Sequence, residues 1–184
     1  MSASIPDPKR HPKYWKTSDN TAIRDAVRAL AELFSTKGQL VYGGHPAITP
    51  LISYIVERQH RDDRKRIHIY QSQWFEDKMP VENSAFETMT VVPSMETLPE
   101  SLQKMREEMF AAYPYKAAIF IGGMEGIEDE YRLFHELHPK AQIFPVASTG
   151  AAARLLFKEN QSDYDPELAT NYSYASLFRR LLKV

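Results

Sequence analysis

Cysteine is absent from the 184-residue chain, which excludes disulfides, thiolate nucleophiles and thiolate metal ligands together and is compatible with a reducing compartment. Neither charge sign is in excess: 23 Lys and Arg stand against 24 Asp and Glu, for a net charge of -1. Such a balance supplies no global field for gripping a polyanion or a membrane surface, so nucleic acid is not an expected partner unless a local patch provides one. No window approaches ~18 uninterrupted apolar residues. The start, Met1-Ser2-Ala3-Ser4-Ile5-Pro6-Asp7-Pro8, lacks the basic and apolar stretches of a signal peptide, and a cytoplasmic chain with no membrane partner is expected. Neither G-x-x-x-x-G-K-[ST] nor an unbroken G-x-G-x-x-G occurs, which removes the support for a P-loop NTPase and for the standard dinucleotide fingerprint.

Apolar residues make up 43% of the chain and charged residues 26%, the balance of an ordinary folded domain. The length suits one domain over residues 1–158, followed by a linker and accessory helix over 159–184. Apolar positions Ala22, Ile23, Ala26, Val27, Leu30, Leu33 and Phe34 recur at helical spacing, with candidate N-caps at Ser18, Asp19 and Asn20 and a stop at Gly38. Gln39–Tyr42, Ile67–Tyr70, Met89–Val92, Lys116–Ile121 and Gln142–Val146 read as strands, and residues 1–5 as a candidate first strand. Lys116–Ile121 is the most apolar run and is expected to be central, whereas Pro145 is better tolerated at a sheet edge or an irregularity. Helices are expected over Leu51–Val56, Leu98–Ala112, Ala151–Lys158 and Tyr174–Leu182, and after the glycine pair a helix with Glu130 in its first turns runs through Tyr131, Leu133, Phe134 and Leu137 and stops before Pro139, while Gln71–Phe86 is an irregular aromatic stretch. Strands alternating with helices specify an α/β class: a single Rossmann-like three-layer domain with a mainly parallel central sheet and helices on both faces.

In such sheets ligands sit beyond the carboxyl ends of the strands, where loops converge and helix N-termini aim free N–H groups at one spot. Three small-residue turns fall there: Gly43-Gly44-His45, Gly122-Gly123-Met124-Glu125-Gly126 and Ser148-Thr149-Gly150. Ser2-Ala3-Ser4 offers a fourth if residues 1–5 form the first strand, and Gln71 follows another strand. Glycine pairs also serve simply to reverse the chain, but three such turns after strands favour a phosphate-bearing ligand. His45 is a candidate acid or hydrogen-bond donor and equally a turn cap. Trp74 and Phe75 can stack on a base or cover the core. His135 and His138 flank Glu136 without forming H-E-x-x-H, so no metal and no cofactor is expected. The charge run Glu57–Arg66 mixes signs and reads as a solvated face.

Ile121-Gly-Gly-Met-Glu-Gly-Ile-Glu-Asp-Glu130 resembles the P-G-G-x-G-T-x-x-E signature of the LOG phosphoribohydrolases, formerly called lysine decarboxylase-like proteins, within the broader SLOG superfamily. Lys104-Met-Arg-Glu-Glu108 loosely resembles the M-x-x-R-K helix of that family, and Arg106 lies 122 − 106 = 16 residues before Gly122, the separation the family keeps. With Gly43–Pro50, Tyr70-Gln-Ser72 and Pro145–Gly150 included, the likeness is greatest to a bacterial SLOG cluster associated with nucleotide signalling and defence, and it spans about residues 2–155. Ile121 replaces the motif proline, Ile127 the threonine and Glu107 the lysine, and one residue is inserted before Gly126.

The resemblance implies a nucleotide-derived ligand, a homo-oligomer, and Arg106 and Glu130 as candidates for catalysis. A carboxylate at Glu130 would stabilise the oxocarbenium-like state of N-glycosidic cleavage while Arg106 held phosphate or a carboxylate. Acidic residues are also favoured at helix N-termini for electrostatic reasons alone. The leading reading is therefore a nucleotide sensor, with a phosphoribohydrolase-like enzyme as the alternative. An assembly module built on the apolar face of Tyr172, Tyr174, Leu177, Phe178, Leu181 and Leu182 is a third.

Overall fold

The computed structural model describes residues 1–183, and for residues 61 and 62 the backbone alone, so that part of the charge run lies outside the described side chains. In chain order, β1 (Ser2–Ser4) leads to α1 (Pro12–Trp15) and α2 (Asn20–Phe34), and β2 (Leu40–Gly43) to α3 (Thr49–Val56) and α4 (Arg61–Arg64). β3 (Ile67–Ser72), two 3-10 turns and β4 (Thr88–Val92) precede α5 (Leu98–Ala111). β5 (Ala117–Gly122), α6 (Glu125–Leu137), β6 (Gln142–Val146) and α7 (Ala151–Glu159) follow, and α8 (Glu167–Thr170) and α9 (Tyr174–Leu182) close the chain.

The strands form two parallel three-stranded sheets, β1-β5-β6 and β2-β3-β4. They meet where β1 runs beside β2, and there the nitrogen of Met1 donates to the Val41 carbonyl at 2.8 Å. β5 is flanked on both sides, with Ile121 opposite Ala3 and Val146. Its side chains alternate between two cores: Ile119 and Ile121 face α2 and α9, while Ala118 and Phe120 face α5, α6 and α7. This alternation follows from the two-residue period of a strand and gives the three-layer Rossmann-like architecture. Pro145 lies in β6, which pairs with β5 alone, so its missing N–H costs the ladder nothing.

The helices begin where local chemistry allows. Asp19 caps α2 by accepting from the Ala22 amide at 2.9 Å, and the stripe Ile23, Ala26, Val27 and Leu30 is fully buried. Thr97 and Glu100 form a reciprocal capping box at the start of α5, with Pro99 in its first turn. The helix expected after the glycine pair begins at Glu125, with Glu130 in its second turn. The apolar face of α9 is covered within the chain: Leu177 and Phe178, each 1% exposed, pack against α2. Tyr172, at the start of the same segment, stays 60% exposed, and Leu181 and Leu182 are half-buried. Among the described residues no helix is long and apolar enough to cross a membrane.

Candidate functional site

A cleft of about 1240 Å³ opens at the carboxyl ends of β1, β2, β3 and β5. The reason is topological. From β1 the chain builds outward through β2, β3 and β4, whereas β5 and β6 are added on its other side, so crossovers leave opposite faces and part the loops at that point. The floor carries Ser2, Ala3 and Ser4, one wall is the first half of α5 with the 3-10 turn at Gln73–Lys78, and the other is the start of α6.

Gly43, Gly44, His45 and Gln71 meet at the ends of β2 and β3. Gln71 is 4% exposed, yet its carboxamide makes no hydrogen bond among the described residues and lines the cleft. Its polar atoms are not among the fully buried, unpartnered ones, so they keep contact with the cleft and present a donor and an acceptor to whatever occupies it. Gly44 makes this placement possible: a Cβ there would lie 2.1 Å from Gln71 Nε2. His45 both caps its turn and faces the cleft. Its carbonyl accepts from the Thr49 amide at 2.8 Å, and its Nδ1 accepts from the Ala47 amide at 3.2 Å. In the neutral ring Nε2 is then the proton-bearing nitrogen. Burial lowers the His45 pKa below its ordinary 6.5, which favours that neutral form.

The second group joins α5 to α6. Arg106 Nε lies 3.3 Å from Glu130 Oε1 and its Nη1 3.8 Å from Asp129 Oδ2, and the Arg106 and Glu130 side chains are only 12% and 14% exposed. Gly126 leaves room for this pair, since a Cβ there would come 2.9 Å from Arg106 Nη2. Glu125 is bonded to Arg10 through Oε1, while its Oε2 is buried and has no partner among the described residues. The amides of Met124, Glu125 and Gly126 have no partner among the described residues, as is usual for a first helical turn.

The remaining candidates lie away from the cleft. Gly122 (φ 59°) and Gly123 (φ 81°) occupy the left-handed region that glycine favours, and their amides donate to Thr149 Oγ1 at 2.9 Å and to the Ser4 carbonyl at 2.8 Å. They shape the turn that presents Met124 and Glu125 rather than offering open donors. Ser148, Thr149 and Gly150 follow β6, one strand beyond the order reversal, and do not line the cleft. Ser148 bonds the Asn171 carbonyl and the Tyr174 hydroxyl at 3.4 and 3.1 Å, and the Thr149 carbonyl accepts from Asp19 at 3.2 Å. Gly150 packs so closely on Thr17 that a Cβ would stand 1.7 Å from its carbonyl oxygen.

Ser2, expected as part of the candidate fourth turn, lines the cleft with Ser4. Sequence reasoning did not single out Arg10 and Lys78, and gave Lys104 no role of its own, although all three line the cleft. They are placed by tertiary contacts alone. Among the described residues no group of three or more His, Asp or Glu could hold a metal ion. No curated protein and no solved structure matches the chain. A model of the SLOG cluster3 family does match, over residues 13–182, and the chain belongs to that family.

Proposed function

We propose that the chain is a binding protein for a nucleotide or nucleotide-derived ligand, seated in the cleft at the carboxyl ends of β1, β2, β3 and β5. One observation carries the reading: Gln71, a residue 4% exposed, turns a carboxamide with no hydrogen-bond partner among the described residues to a cleft built at the reversal of strand order. A primary amide offers paired donor and acceptor, suited to the edge of a base. Phe75, Met79 and Leu98 supply an apolar wall for its ring. Family membership supports a nucleotide-related role. Thermal shift and calorimetry against NAD, ADP-ribose, cyclic ADP-ribose, mononucleotides and cyclic nucleotides test it. Stabilisation by at least one member is expected, and stabilisation by none overturns the reading.

A second reading, hydrolysis of a nucleotide N-glycosidic bond, is favoured by the Arg106–Glu130 pair, 3.3 Å apart and largely withdrawn from solvent. A carboxylate there can stabilise positive charge developing on the ribose as the base departs with a proton and water adds to the anomeric carbon. Arg106 would orient that carboxylate. Chromatography of the same compounds after incubation separates the readings: the hydrolase requires free base as product, and Glu130→Gln must abolish its release.

A further inference from the structure

The cleft is uneven in charge and in depth. Arg10 is committed to Glu125, and Arg106 to Glu130 and Asp129. Lys78 and Lys104 line the cleft with no acidic partner among the described residues. Lys78 ends the 3-10 turn that packs on α5, and Lys104 lies on α5 itself, so the two share one wall. Lys78 is exposed and Lys104 half-buried, which places this wall toward the mouth. Glu100 and Glu107 share that wall and keep their charge, since their bonds to Thr97 and Gln103 come from neutral donors, so the wall is balanced while the two ammonium groups on it remain outside any ion pair among the described residues.

The opposite side differs. Glu125, Asp129 and Glu130 gather at the start of α6 and offset the positive end of its dipole, and the amides of the preceding glycine pair are engaged. An anion set there meets carboxylates, whereas a hydroxyl brings the donors that carboxylates lack. The floor points the same way: Ser2 is 6% exposed and its hydroxyl has no partner among the described residues.

Resting on the nucleotide-binding reading, we propose that the ligand lies with its anionic end outward against Lys78 and Lys104 and its hydroxyl-rich end inward against Ser2 and Glu130. The ligand class is a phosphorylated ribosyl compound with its 2′ and 3′ hydroxyls free. Its phosphate is turned away from the glycine turn after β5.

Calorimetric titration of the whole chain with ADP-ribose, AMP, 2′-deoxy-AMP and adenosine tests the orientation. Lys78→Ala/Lys104→Ala should weaken ADP-ribose and AMP roughly tenfold and leave adenosine unchanged. The wild type should bind AMP roughly fivefold more tightly than 2′-deoxy-AMP, and Ser2→Ala should narrow that gap. Unchanged AMP affinity in the double variant, or equal affinity for AMP and 2′-deoxy-AMP, overturns the orientation alone. Failure of the wild type to bind any of the four or the wider nucleotide series removes the underlying reading as well.

Discussion

At the scale of single residues, the cleft is organised around groups that the fold holds in place without satisfying. Gln71 depends on Gly44, because a methyl group on Gly44 would overlap the carboxamide at 2.1 Å and approach Ile69 Cδ1 at 2.9 Å. Both obstacles are side-chain ends that can move, so Gly44→Ala should cost about 1–3 kcal/mol of stability and displace the amide from its ligand-facing position. Calorimetry with the tightest-binding nucleotide should show roughly a tenfold loss in affinity. Retained affinity would remove Gln71 from the site. His45 and His68 set a pH dependence of a definite sign. Burial lowers both from their ordinary 6.5, so the unfolded chain takes up protons first as the pH falls. The stabilisation they provide is complete above that value and declines below it. Urea midpoints should fall between about pH 7.5 and 5.5, with a smaller fall in His45→Gln and His68→Gln.

At the scale of elements, much of the architecture was legible because burial leaves a period in the sequence. The stripe of α2, the apolar run of β5 and the span of α9 are each visible as spacing. The two 3-10 turns over Gln73–Lys78 and Val81–Ala85 are not, since short irregular segments have no period and are shaped by what they cover. The site was legible in part for a different reason. Gly43-Gly44-His45, Gly122–Gly126 and Ser148-Thr149-Gly150 share one local grammar, but strand order decides which of them opens onto the cleft, and no local pattern encodes strand order. The turn after β6 instead fastens α7 and α9 to the sheet: Tyr174 bonds Ser148 at 3.1 Å, and the Ala151 amide bonds Thr17 Oγ1 at 3.0 Å. Gly150→Ala, at φ 73° and against the Thr17 backbone, should therefore destabilise the fold by at least about 2 kcal/mol. Phe178→Ala should cost about 3–5 kcal/mol by emptying the space between α9 and α2. Chemical denaturation measures both, and a change under about 1 kcal/mol in either would mean that the turn or helix is loosely attached.

At the scale of the whole molecule, the two cores on opposite faces of the sheet separate stability from binding. The α2–α9 core holds Phe178 and Leu177, neither of which lines the cleft, while Gln71, Arg106 and Glu130 border it. A ligand that binds only the folded chain stabilises it by mass action, about 2.7 kcal/mol at a concentration a hundredfold above Kd. For a chain of this size that corresponds to a rise in Tm of about 5–10 °C. Sites without shared partners contribute independently, so Phe178→Ala should lower the starting Tm yet retain the full ligand-induced increment, whereas Gly44→Ala should lose a large part of it at the same ligand concentration. Differential scanning fluorimetry of the three proteins across a nucleotide titration gives both quantities at once. Equal loss of the increment in the two variants would show that the ligand reports general foldedness instead of occupying the cleft. Loss confined to Gly44→Ala ties the stabilisation to the ends of β2 and β3.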